Sequence, residues 1–238
     1  MVGNGVTDPE SDSTINSLAP FSFGHGLVSQ DTNDKIKECN GGATPMNPQC
    51  VSGLAELSAS LVDVNRYQIY DGCYYGNKKG RIPWENLHWA EEMLGDIPCI
   101  DTDQASVYFN LAQVKQALHV QDVDWEICSN TLRYTKNLGS DSYQFYPALL
   151  QNYRAIAFSG DTDAAVPHVG TELWTRKLGL RVLDPWRQWR VNNQVAGYVV
   201  TYDRLWYVIY KGGTHTVPES HPEESLYMVS QFLKNQPL

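Results

Sequence analysis

Two short apolar runs, each ending in a glycine-bearing turn that carries an ionisable group, constrain this chain more than any other feature. The first, Ala155-Ile156-Ala157-Phe158, opens into Ser159-Gly160-Asp161-Thr162-Asp163-Ala164-Ala165-Val166-Pro167. A brief apolar run bounded by turn residues predicts a strand buried on both faces of a parallel sheet. Two carboxylates at its end then lie at the carboxyl edge, where open α/β sheets hold ligands and catalytic groups. The second run, Leu205-Trp206-Tyr207-Val208-Ile209-Tyr210, ends in Lys211-Gly212-Gly213-Thr214-His215-Thr216-Val217-Pro218 and delivers a histidine from a glycine turn. A chain of 238 residues, 42% apolar and 11% aromatic, has material for one large core around such strands. No run of eighteen apolar residues is present, so no transmembrane helix is expected. A formal charge of −9 leaves no basic stripe to meet phosphates, which argues against nucleic acid as a partner.

At these two turns the chain resembles the serine carboxypeptidases, a family of α/β-hydrolase fold. Their late signatures are Gly-Asp-x-Asp-x-x-x-Pro, matched in full from Gly160 to Pro167, and Gly-x-Gly-His-x-Val-Pro-x-x-x-Pro. In the second, Thr214 stands where the family has glycine, while His215, Val217, Pro218 and Pro222 fall in place. The opening stretch Val2 to Pro9 resembles the family's Gly-Asn-Gly-x-x-Asp-Pro, read here as a turn without a site role. The resemblance implies an α/β fold in which residues 1–238 form part of an α/β-hydrolase domain. About 31–135 would be a helical, disulfide-tied cap insertion, and about 150–238 the C-terminal strands and helices. It implies Asp163 as triad acid and His215 as base, with Asp161 supporting the turn and His25 structural. It also implies pairing of Cys39 with Cys50 and of Cys73 with Cys99, and of Cys128, the fifth cysteine, with a cysteine outside this chain. That pairing, and a lysosomal, vacuolar or secreted site, runs against the lack of a signal-type segment at the amino end.

Periodicity supplies further expectations. Leu54, Leu57, Leu61 and Val62 share a helical face; Asn110 is placed to cap a helix over 111–120 with Leu111, Val114 and Leu118 inward. A short helix over 146–150 leads into the first strand, and a returning helix over 166–178 turns Leu173, Trp174 and Leu178 inward. Residues 196–202 and 205–210 read as the last pair of strands. Pro222 opens a final helix with Leu226, Val229 and Leu233 as its buried stripe. The basic, glycine-punctuated stretch from Tyr75 to Pro83 has the composition of an exposed loop open to proteolytic nicking after Lys79 or Arg81. His88 and Glu92, four apart and without a third donor nearby, do not make a metal site, and no cofactor is expected.

The chemistry implied by the resemblance also needs a nucleophile, and no serine here stands in Gly-x-Ser-x-Gly. Ser22 comes nearest, with Gly24 after it but Pro20 before it; Ser142 lacks flanking glycines. The expectation is therefore a chain that supplies acid and base and is inactive alone. An N-terminal half or companion chain would bring the serine, with peptide or protein C-termini as substrate. Strands meant to be buried on both faces would make the isolated chain aggregation-prone. Two alternatives stay open: a non-catalytic subunit with a binding or structural role in a larger assembly, and an acyltransferase or lyase on the same scaffold.

Overall fold

The computed structural model describes residues 1–39, 47–74, 99–127 and 142–238. The chain divides into two compact units, one of Met1–Ser60, Tyr67–Tyr70 and Leu138–Leu238, the other of Leu61–Arg66 and Asp71–Asn137. In the first unit the strand β1 (Val2–Gly3) is followed by a π-helical turn, Thr14–Leu18, and the helices α1 (Ala19–Gly24), α2 (Gln30–Lys37) and α3 (Pro48–Ser60). In the second lie α4 (Asp103–Phe109) and α5 (Ala112–Ala117). The first unit resumes with α6 (Tyr146–Asn152), β2 (Ala155–Gly160), α7 (His168–Lys177), β3 (Val182–Val191), β4 (Gln194–Tyr202), β5 (Leu205–Tyr210), α8 (Val217–Ser220) and α9 (Pro222–Leu233).

The strands form one sheet in the order β1-β2-β5-β4-β3. β1, β2 and β5 run parallel, whereas β4 and β3 are antiparallel to their neighbours. Because successive side chains on a strand face opposite ways, β5 feeds two cores. Val208 and Tyr210 join Ile156, Trp189, Val199, Met228 and Phe232 on the α9 side. Leu205, Tyr207 and Ile209 join Tyr146, Leu150, Ala157, Trp174 and Val200 on the side of α6 and α7. Trp174 and Tyr207 are completely buried, and each such large side chain contributes roughly 1.5–3 kcal/mol through the area it removes from water.

Strand β3, which the sequence reading does not anticipate, is an edge strand with register shifts around Asp184 and Arg187, and it carries Pro185 between them. Such irregular edges tolerate proline, since no ladder donor is needed there. It turns into β4 through Asn192 and Asn193, both at positive φ, the conformation a two-residue hairpin requires. Its Trp189 indole donates to the Ile209 carbonyl of β5 at 3.1 Å. The reach across β4 depends on Gly197, where a Cβ would lie 2.8 Å from Trp189 Nε1.

Several helical faces differ from expectation. In α9 the buried positions are Ser225, Met228 and Phe232, with Val229 partly buried, whereas Leu226 and Leu233 are each 70% exposed. Leu173 of α7 faces solvent while Trp174 is the buried residue. Asn110 does not open a helix but closes α4, and Leu111 and Leu118 are exposed. Its side chain is instead engaged by the loop that follows, its Oδ1 accepting from Trp125 N at 2.8 Å and its Nδ2 donating to Trp125 O at 3.0 Å.

Both expected disulfides are present. Cys39–Cys50 ties α2 to α3, beside the Lys35 ammonium and Thr32 hydroxyl that both reach Glu56. Cys73–Cys99 closes a two-strand bridge in the second unit. Cys128, the stretch 75–83, His88 and Glu92 lie outside the described residues.

Candidate active site

Parallel neighbours end at the same edge of a sheet, so the turns after β2 and β5 are brought together by register alone: Gly160 pairs with Tyr210. The turns are then laced. Asp161 N donates to Tyr210 O at 3.1 Å, Thr162 donates to Gly213 O from its backbone N at 3.1 Å and from its hydroxyl at 2.6 Å, and Gly212 N donates to Asp161 Oδ1 at 2.6 Å. The backbones approach so closely that a Cβ on Gly213 would stand 2.9 Å from Gly160 Cα, and one on Gly160 would overlap the Gly213 carbonyl. A third segment spans both turns, His215 N donating to Tyr67 O at 2.9 Å and Ile69 N to Thr162 O at 3.2 Å.

On this frame Asp163 and His215 meet. Nδ1 of His215 is 2.8 Å from Asp163 Oδ2, with Asp163 wholly buried and the His215 side chain 24% exposed. A carboxylate only accepts, so the imidazole carries its proton on Nδ1 and leaves the Nε2 lone pair free of it. The ring of Tyr67 stacks on the imidazole at 4.3 Å between centroids. Asp163 needs other donors to be held without water, and it has them. Oδ1 accepts from Ala165 N at 2.8 Å; Oδ2 accepts from Val166 N at 3.3 Å and from the Asn4 side-chain amide at 2.7 Å.

Asn4 corrects the sequence reading, which gives the opening stretch no part in the site. Gly3 pairs with Phe158, so β1 lies against β2 and its end delivers Asn4 to the carboxylate. The signal was the Gly-Asn-Gly pattern: Asn4 has φ +41, the left-handed region that asparagine tolerates better than most residues. Asp161 bonds within the turn, with burial pushing its carboxyl up and the Gly212 amide opposing that. Thr214 has no positive φ, so its Cβ brings no backbone strain where the family has glycine. Its hydroxyl bonds Ser220 at 3.1 Å.

His25 bonds Phe21 O through Nδ1 at 2.9 Å and packs on the Phe21 ring. Its neighbour His168 is a residue that sequence reasoning passed over. Burial, helped by the His25 charge and opposed by Asp163, pushes His168 down to about 4. Its Nδ1 is buried without a hydrogen-bond partner. Ser22 is wholly buried in α1, and Ser142 begins a single exposed helical turn.

Comparison with known proteins decides the family. A family model described as serine carboxypeptidase matches residues 1–235. The chain belongs to the serine carboxypeptidase family. Among curated relatives, this carboxypeptidase-family chain is 33% identical to serine carboxypeptidase-like 21 of Arabidopsis thaliana, with 99% of the chain and 57% of that protein aligned. It is 30% identical to serine carboxypeptidase 1 of Hordeum vulgare, over 100% of the chain and 56% of that protein. It thus spans somewhat over half the length of these relatives. A solved structure of a prohormone-processing carboxypeptidase from Saccharomyces cerevisiae superimposes with a TM-score of 0.69 at 18% identity, covering 98% of the chain and 53% of that structure. The fold is accordingly that of the α/β-hydrolase carboxypeptidases.

Proposed function

We propose that this chain carries the acid and the base of a serine-type carboxypeptidase that releases C-terminal amino acids from peptides. The observation that supports the reading is the buried Asp163 carboxylate holding the Nδ1–H of His215 at 2.8 Å. With that tautomer fixed, His215 Nε2 takes the proton of a serine hydroxyl as its oxygen attacks the last peptide carbonyl. It then gives the proton to the departing amine, and in the second half-reaction it activates the water that cleaves the acyl-enzyme. Asp163 stabilises the imidazolium formed in each half without itself taking the proton. The serine, the oxyanion donors and the groups that hold the substrate carboxylate are assigned to the part of the protein outside residues 1–238. Two facts favour that assignment: no Gly-x-Ser-x-Gly occurs in the chain, and its curated relatives are considerably longer. Two disulfides favour an oxidising compartment, in keeping with a vacuolar, lysosomal or secreted enzyme.

The test is release of free amino acid from N-acylated peptides by the full-length protein. His215→Ala is expected to reduce release to background. Asp163→Asn is expected to lower the rate by about 10⁴, as the loss of a triad acid does, with the fold retained. Asp161→Asn, which alters only a turn contact, is expected to cost far less. Full release by the His215→Ala protein would refute the reading.

A further inference from the structure

Besides the backbone amides of Ala165 and Val166, the Asp163 carboxylate accepts from two side chains that come from opposite ends of the chain. Its Oδ2 accepts the Nδ1–H of His215 at 2.8 Å and the side-chain amide of Asn4 at 2.7 Å. Asn4 is 4% exposed, so water offers its amide little alternative. Its Oδ1 accepts from Gly160 N at 3.3 Å, which settles which end of the amide faces Asp163, and its backbone N donates to Phe158 O at 2.9 Å. Anchored at three points, the amide is aimed, and it is aimed from a backbone at φ +41.

We propose that Asn4 is a positioning residue of the acid–base pair: it fixes the plane of the Asp163 carboxylate and limits the negative charge that Oδ2 presents to His215. The inference rests on the acid–base reading of Asp163 and His215. A carboxylate oxygen that already accepts one short bond is a weaker acceptor for the second. Deleting the amide concentrates charge on Oδ2, which stabilises the imidazolium and raises the basicity of His215. It also removes one of the donors that keep the carboxylate in register with Nδ1. The other titratable groups around the pair are Tyr67, stacked on the imidazole; His168, which feels the Asp163 charge; and Asp161, turned toward Gly212. The backbone amide of Val166 also donates to Oδ2, but at 3.3 Å against 2.7 Å for Asn4, so Asn4 makes the shorter of these two bonds.

Asn4→Gly separates this role from packing, because glycine accepts the positive φ without strain while removing the amide. In the full-length protein, NMR of the His215 imidazole is expected to show a hydrogen-bonded Nδ1–H in the wild type. In Asn4→Gly the His215 titration, and with it the acid limb of kcat/KM, is expected to move up by roughly half a unit to one unit. kcat is expected to fall about tenfold with KM little changed. Identical titration and acid limb in the variant, even with a lowered melting temperature, would overturn the role given to Asn4 and leave the pair intact. A wild type without the hydrogen-bonded Nδ1–H would overturn the acid–base reading and this inference together. Should Asn4→Gly not fold, the wild type still decides. The Asn4 side-chain amide protons must shift with the midpoint of His215, and a flat response overturns the proposal.

Discussion

Replacing Gly160 by alanine tests whether the lacing of the two turns positions the site. The Cβ would overlap the carbonyl carbon and oxygen of Gly213 and the carbonyl oxygen of Thr214, all backbone atoms that no rotamer change can move. Ordinary contact distance is recovered only if the turns separate by about 1 Å. Overpacking of this kind costs roughly 1–3 kcal/mol. The same displacement strains the two bonds from Thr162 to Gly213 O, now 3.1 and 2.6 Å, at roughly 0.5–1.5 kcal/mol each. A loss of about 3 kcal/mol lowers the melting temperature of a domain this size by about 10 °C. Because His215 rides on the turn that moves, kcat/KM should fall about 10²-fold. Thermal unfolding followed by circular dichroism, together with peptide-release kinetics on the full-length protein, reads both quantities. A Gly160→Ala protein with unchanged melting temperature and unchanged kcat/KM would mean that the lacing of the two turns does not position the site.

Two further predictions concern stability. His168 is held at about 4 by burial, below the 6.5 of an exposed imidazole, so the unfolded chain binds its proton first as pH falls. The stability contributed by its neutral form is complete above pH about 6.5 and is lost as pH drops toward 4, by about 3 kcal/mol in all. His168→Phe should flatten that part of the stability profile, and urea midpoints that keep the wild-type slope would contradict it. Asp161 and Asp12, raised by burial, act in the opposite sense and are common to both proteins. Removing the Cys39–Cys50 bridge, which spans 11 residues, by a double alanine substitution should cost about 3 kcal/mol through loop entropy. An unchanged urea midpoint would count against that.

The residues most legible in the sequence were those whose geometry follows from local rules. An apolar run ending in a turn fixes a strand and the edge at which it stops, which places Asp161 and Asp163 at a sheet edge, while the pairing of Asp163 with His215 follows from the two family motifs. The Cys39–Cys50 and Cys73–Cys99 pairings followed from family resemblance. The phase of a helix was less legible. Residues 225–233 are apolar nearly all round, and the stripes 225/228/232 and 226/229/233 are both helical; the sheet, which is not local, selects the first. β3 was hidden because Pro185 and the charges at Arg187 and Arg190 suit an irregular edge strand and mask its alternation. Asn4 was missed for a different reason. Its motif reports only a backbone conformation, while the bond it makes is to a residue 159 positions away.

We propose that His215, held by Asp163, activates a serine lying outside residues 1–238, and labelling with a fluorophosphonate probe reads that activation at the serine itself. In the full-length protein the probe should attach to one serine in a Gly-x-Ser-x-Gly sequence, at a rate that collapses in His215→Ala and drops sharply in Asp163→Asn. Labelling at any serine within residues 1–238, or labelling that proceeds as fast without His215, would contradict it.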